Sequence, residues 1–138
     1  MNAYVDSSVL LRIVLGQPGA LVEWKSIRLG VASALVEVES LRTLDRLRLG
    51  GEVSPEQLAE RREAVFRLVE EMEVIEPTMP VLRRASQPFP TPLGTLDAIH
   101  LSTALLWQQV RREEIVMATH DGALATASRA SGLRVAGF

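Results

Sequence analysis

The stretch N-A-Y-V-D-S-S-V-L-L-R-I-V-L, residues 2–15, changes character at Asp6. Residues 2–5 read as a short buried strand. Ser7 onward reads as a helix, which Gly16 and Pro18 bring to an end. A strand that delivers an acid to the start of a helix is the building step of an open α/β sheet. In such sheets ligands bind just outside the carboxyl ends of the strands.

The same step recurs along the chain. A second helix is expected around 19–28, ending before Gly30, and Val31-Ala32 is a brief strand. Ser33 is a suitable N-cap for a helix that runs to Gly50-Gly51. S-P-E-Q at 54–57 is a strong helix start: Ser54 caps, Pro55 opens the first turn and Gln57 closes a capping box. That helix runs to about Met72, and V-I-E at 74–76 is the next strand. A short helix at 79–86 leads into the proline-punctuated loop S-Q-P-F-P-T-P-L-G. Thr95 is placed to cap a helix over 96–111. I-V-M-A at 115–118 is a strand, 121–131 a helix, and L-R-V-A the last strand. Short apolar strands alternating with longer helices imply a parallel sheet with helices on both faces. The fold class is therefore α/β, a three-layer α/β/α sandwich around four to five strands. The helices flanking Gly50-Gly51 are expected to form an antiparallel hairpin. No linker or repeat divides residues 1–138, which are expected to be one domain.

Bulk composition narrows the function classes. The 138 residues are 47% hydrophobic, a globular balance. Cysteine is absent, which removes disulfides and thiolate metal sites and makes a reducing cytoplasm the natural setting. The first residues carry neither a basic stretch nor a long apolar one, so no signal peptide is expected, and no membrane association either; V-L-L-R-I-V-L is broken by Arg12. A net charge of −2 argues against indiscriminate nucleic-acid binding. Of 15 basic residues only Lys25 is a lysine. The preference for arginine reads either as a coding bias or as phosphate recognition by bidentate guanidinium groups.

Four acids, far apart in sequence, stand at element junctions: Asp6, Glu39, Asp97 and Asp121. Each has an ordinary explanation. Asp6 and Asp121 have the place of N-caps. Asp97 falls in a first turn, where the helix dipole favours negative charge. Glu39 shares a helix face with Leu35, Arg42 and Arg46, and Arg42, three residues on, is close enough for an intrahelical ion pair. One shared explanation for four junctions of one sheet is more economical: an oxygen-rich pocket suited to a hard divalent cation. Glu37 points away from Glu39, and helical periodicity alone does not choose between them. Asp97 and His100, three apart, could share a metal, and His120 adjoins Asp121. A zinc site would nonetheless be mostly carboxylate, which is unusual, so His100 reads as core or helix packing and His120 as surface. The motifs G-x-S-x-G, the P-loop and G-x-G-x-x-G are absent.

Four segments carry a resemblance: Y-V-D-S-S-V-L-L (4–11), S-A-L-V-E-V-E (33–39), T-L-D-A-I-H-L-S-T-A (95–104) and A-T-H-D-G-A-L (118–124), followed by G-L-R-V (132–135). In order and spacing they resemble the PIN-domain ribonucleases, especially the VapC-like toxins of bacterial toxin–antitoxin pairs, over nearly the whole chain. The resemblance implies that Asp6, Glu39, Asp97 and Asp121 surround Mg2+ or Mn2+, with Glu39 and not Glu37 on the motif position. It implies that Ser7 and Thr119 orient carboxylates or waters. It also implies an endoribonuclease acting on single-stranded or loop RNA, a cognate antitoxin and a homodimer. Arg42 and Arg46, on the Glu39 face, are candidate contacts to RNA phosphates. The prolines at 88, 90 and 92 depart from the family pattern. Two alternatives are a non-catalytic RNA-binding or scaffold domain of the same fold and a haloacid-dehalogenase-like phosphatase. The second requires an Asp two residues after the first, where this chain has Ser8.

Overall fold

The computed structural model describes residues 1–138. Five strands, β1 (Asn2–Val5), β2 (Leu29–Ser33), β3 (Glu73–Ile75), β4 (Val116–Ala118) and β5 (Arg134–Ala136), form one all-parallel sheet in the order β3-β2-β1-β4-β5. Six helices accompany them: α1 (Ser7–Val14), α2 (Leu35–Leu49), α3 (Pro55–Glu70), α4 (Met79–Ala85), α5 (Thr95–Arg111) and α6 (Gly122–Ala130). The expected α/β class is the one found, with five strands.

Strand alternation divides the core. Tyr4, Val31 and Met117 pack on one side of the sheet with Leu101, Ala104 and Trp107 of α5 and Leu124 and Ala127 of α6. Ala3, Val5, Val116 and Ala118 pack on the other side with Val9 of α1 and with Leu21. Leu10, Val14, Val36, Leu44 and Val65 then join α1, α2 and α3 into a helical layer. In that layer the Arg61 guanidinium donates to the Val14 carbonyl at 2.7 Å, occupying an oxygen that the end of α1 leaves without a partner.

Local signals set most boundaries. The Ser54–Gln57 capping box forms in both directions at the start of α3. Three expectations need correction. Residues 19–28 hold only a 3-10 turn at Val22–Ser26. Ser33 ends β2, and Ala34 occupies the N-cap of α2, although the Ser33 hydroxyl still accepts from Leu35 N. Thr95 is the first helical residue of α5, behind Gly94 at the N-cap.

Strand order decides where ligands can reach. The chain runs outward from β1 through β2 to β3, then returns to the other side of β1 for β4 and β5. Val5 pairs with Ala118, so the carboxyl ends of β1 and β4 lie side by side where the winding reverses. Crevices in open α/β sheets form at such a reversal.

Candidate active site

The reversal point brings two of the four acids to one edge. Asp6 follows β1 directly, and its backbone N–H donates to Ala118 of β4. Its carboxylate is 4% exposed. Oδ1 accepts from the Ser8 hydroxyl (2.6 Å) and from Val9 N (3.2 Å), and Oδ2 accepts from the Thr119 hydroxyl (2.6 Å). Asp6 is thus both the N-cap of α1 and a buried acid. Burial raises its pKa, against the pull of those three donors.

The donors form a lattice. Ser8 Oγ also accepts from His120 N (2.9 Å), and Thr119 Oγ1 accepts from Asp121 N (2.9 Å). Two hydroxyls therefore tie the end of β1 to the loop after β4. Thr119 bonds to Asp6 as well as to Asp121 N. Ser7 makes no such bond; Ser8, two residues after the acid, occupies that place. Its signal in the sequence was the N-cap itself, since a side chain two residues into a helix folds back over the capping residue. Asp121 caps α6 by accepting from Leu124 N (2.9 Å), and the rest of its carboxylate is exposed.

Glu39 lies one turn into α2, and Asp97 lies in the first turn of α5. Arg42 does not pair with Glu39 as the helix spacing allowed; it reaches toward Asp45 at 4.0 Å. The partner of Glu39 is His100, whose Nε2 is 2.5 Å from Oε1. Glu37 is half-buried and does not join this network. His120 is turned away from Asp121, with Nδ1 2.8 Å from the carbonyl of Gly137.

The four acids share one electrostatic environment. The Asp97 carboxyl is pushed up to about 6, mainly by burial and next by the charge of Asp121, with Asp6 and Glu39 adding to it. No Lys or Arg forms an ion pair with any of the four. The donor chemistry, carboxylate oxygens without a cationic side chain, fits a hard divalent ion. The side chains do not stand as a finished cage: no three Asp, Glu or His groups converge closely enough to hold an ion. Beside the first turn of α5, the proline loop 86–93 walls a cleft of about 680 Å³. Phe89 in that loop lies under the Arg84 guanidinium at 4.6 Å.

The family model for the PIN domain matches residues 3–129. The chain belongs to the PIN domain family. The match takes in the junctions of all four acids. This PIN domain is 29% identical to the ribonuclease VapC47 of Mycobacterium tuberculosis (strain CDC 1551 / Oshkosh), over 98% of this chain and 92% of that protein. Its fold is similar to that of a chain in a toxin–antitoxin complex from Klebsiella pneumoniae, with a TM-score of 0.61, 15% identity, and coverage of 91% and 89% of the two chains. As a PIN domain with Ser8 hydrogen-bonded to Asp6, the chain lacks the paired aspartates of the dehalogenase-like alternative.

Proposed function

We propose that residues 1–138 form a single PIN-like domain that acts as a Mg2+- or Mn2+-dependent endoribonuclease, the toxin of a toxin–antitoxin pair. The observation that carries this reading is Asp97: half-buried, raised to about 6 by burial and by the charges of Asp121, Asp6 and Glu39 against the opposing pull of His100, and in no ion pair with Lys or Arg. Such a pocket is relieved by a cation. The similarity to a protein named as a ribonuclease supports RNA as the substrate class. The fold shared with a chain of a toxin–antitoxin complex supports a cognate antitoxin as partner. No helix is long and apolar enough to cross a membrane; a cytoplasmic place and a homodimer belong to the same proposal.

Asp6, Glu39, Asp97 and Asp121 would hold the ion, and when bound it supplies activation of water and charge neutralisation at the leaving oxygen of the phosphodiester. Thr119 and Ser8 keep the Asp6 carboxylate aimed by both oxygens, so that it needs no reorganisation when RNA binds. The lattice from Ser8 to His120 N holds the loop carrying Asp121 against the start of α1. Arg42 and Arg46 are exposed on α2 beyond Glu39, where RNA phosphates can reach them.

The test is cleavage of single-stranded RNA by the purified protein with Mg2+, with Mn2+ and with chelator, beside Asp6→Asn. Cleavage only with a divalent ion, lost in Asp6→Asn, is expected. An Asp6→Asn protein that cleaves like wild type would sink the nuclease assignment. RNA binding without cleavage under every metal condition would leave the scaffold reading.

A further inference from the structure

Behind Glu39 runs a buried polar chain that the hydrolytic scheme does not use. The Tyr4 hydroxyl is 2.6 Å from His100 Nδ1, and His100 Nε2 is 2.5 Å from Glu39 Oε1. Tyr4 is fully buried and His100 is 1% exposed, whereas the Glu39 side chain is 22% exposed. The chain therefore leads from the centre of the sheet to a partly exposed carboxylate. It joins β1, α5 and α2, three elements that bring acids to the same place.

The ring is held from both sides. The Tyr4 oxygen, which also accepts from Ser33 N at 3.2 Å, bonds to Nδ1, and Thr103 stands beside the same hydroxyl. With a carboxylate oxygen 2.5 Å from Nε2, the hydrogen of that contact belongs on the ring, because a bare Nε2 lone pair would face a second acceptor.

We propose that His100, held against Tyr4, is a positioning residue that donates from Nε2 to Glu39 Oε1 and leaves Oε2 free. The proposal rests on Glu39 being one of the metal-holding acids, and adds the group that orients it. Hydrogen bonds of this kind behind a metal-ligating group are worth about 10- to 100-fold in metal affinity.

The experiment has a metal-free arm and a metal arm. Imidazole 15N shifts, recorded without divalent ions, should show Nε2 of His100 carrying a hydrogen. Glu39→Gln should move the Nε2 signal, and Tyr4→Phe should move the Nδ1 signal. In the metal arm, Mn2+ binding by calorimetry should weaken about 10- to 100-fold in His100→Leu. His100→Gln, whose amide can donate in place of Nε2–H, should recover most of it, while KM for RNA stays near wild type. Thermal melts accompany each variant, and Tyr4→Phe reports the network should His100→Leu fail to fold. A bare Nε2, an Nε2 signal indifferent to Glu39→Gln, or wild-type Mn2+ affinity in His100→Leu would each overturn the positioning role. Wild-type protein that binds no Mn2+ would instead overturn the metal-dependent reading on which it rests.

Discussion

Glu39 and Glu37 are two residues apart on one helix, yet only Glu39 meets His100 and contributes to the field at Asp97. Glu39→Gln should therefore lose RNA cleavage with little change in melting temperature, and Glu37→Gln should keep most of it. Reversed activities in a gel-based cleavage assay would show that the wrong face of α2 is turned to the pocket. Asp97 makes a second prediction, about pH. Its folded pKa of about 6 lies above the unfolded value of 3.8. The folded protein then holds a proton that the unfolded chain has released, so stability is lost as pH rises from about 4 to about 6. The raised pKa of Asp6 acts in the same direction. Without divalent ions, melting temperature should fall across that window, and Asp97→Asn should flatten part of the fall. An identical slope in the variant would mean that Asp97 is ordinarily solvated.

α2 carries an acid toward the pocket and arginines on its exposed side. Arg46 donates to Thr43 Oγ1 at 3.0 Å, and Arg42 stands 4.0 Å from Asp45, a distance at which an exposed pair is worth little. Both guanidinium groups are therefore available for phosphate. Alanine at either position should weaken RNA binding and make its salt dependence shallower, because fewer counterions are released. Titrations at several salt concentrations measure both. Unchanged affinity and slope would leave the arginines as ordinary helix surface. The element boundaries were legible where the chemistry is local, as at Ser54–Gln57 and in the Asp6 and Asp121 caps. They were misread where a neighbour decided. Ser33 looks like a cap, but pairing with Ile75 of β3 draws it into the sheet. At Gly94 the backbone already turns into α5, so Thr95 comes one residue too late to cap it.

Across the molecule, the charges of Asp6, Glu39 and Asp121 are all felt at Asp97, and the folded chain concentrates them more than the unfolded chain does. Mg2+ or Mn2+ should raise the melting temperature in proportion to the logarithm of its concentration above Kd. Asp6→Asn, Glu39→Gln and Asp97→Asn should each reduce that rise. Calorimetric melts insensitive to millimolar divalent ions would argue against a shared pocket. The sequence by itself determined the α/β class, the order of strands and helices, and the four junction acids, because turn chemistry and apolar rhythm act within a few residues. Only the tertiary structure decided that β4 returns beside β1, that Thr119 reaches across 113 residues to Asp6, and that Glu39 meets His100 rather than Arg42. Those outcomes depend on strand pairing and on side chains packed together from distant segments. No local pattern encodes which strand becomes a neighbour, so His100 looked like plain core until α2 and α5 were laid side by side.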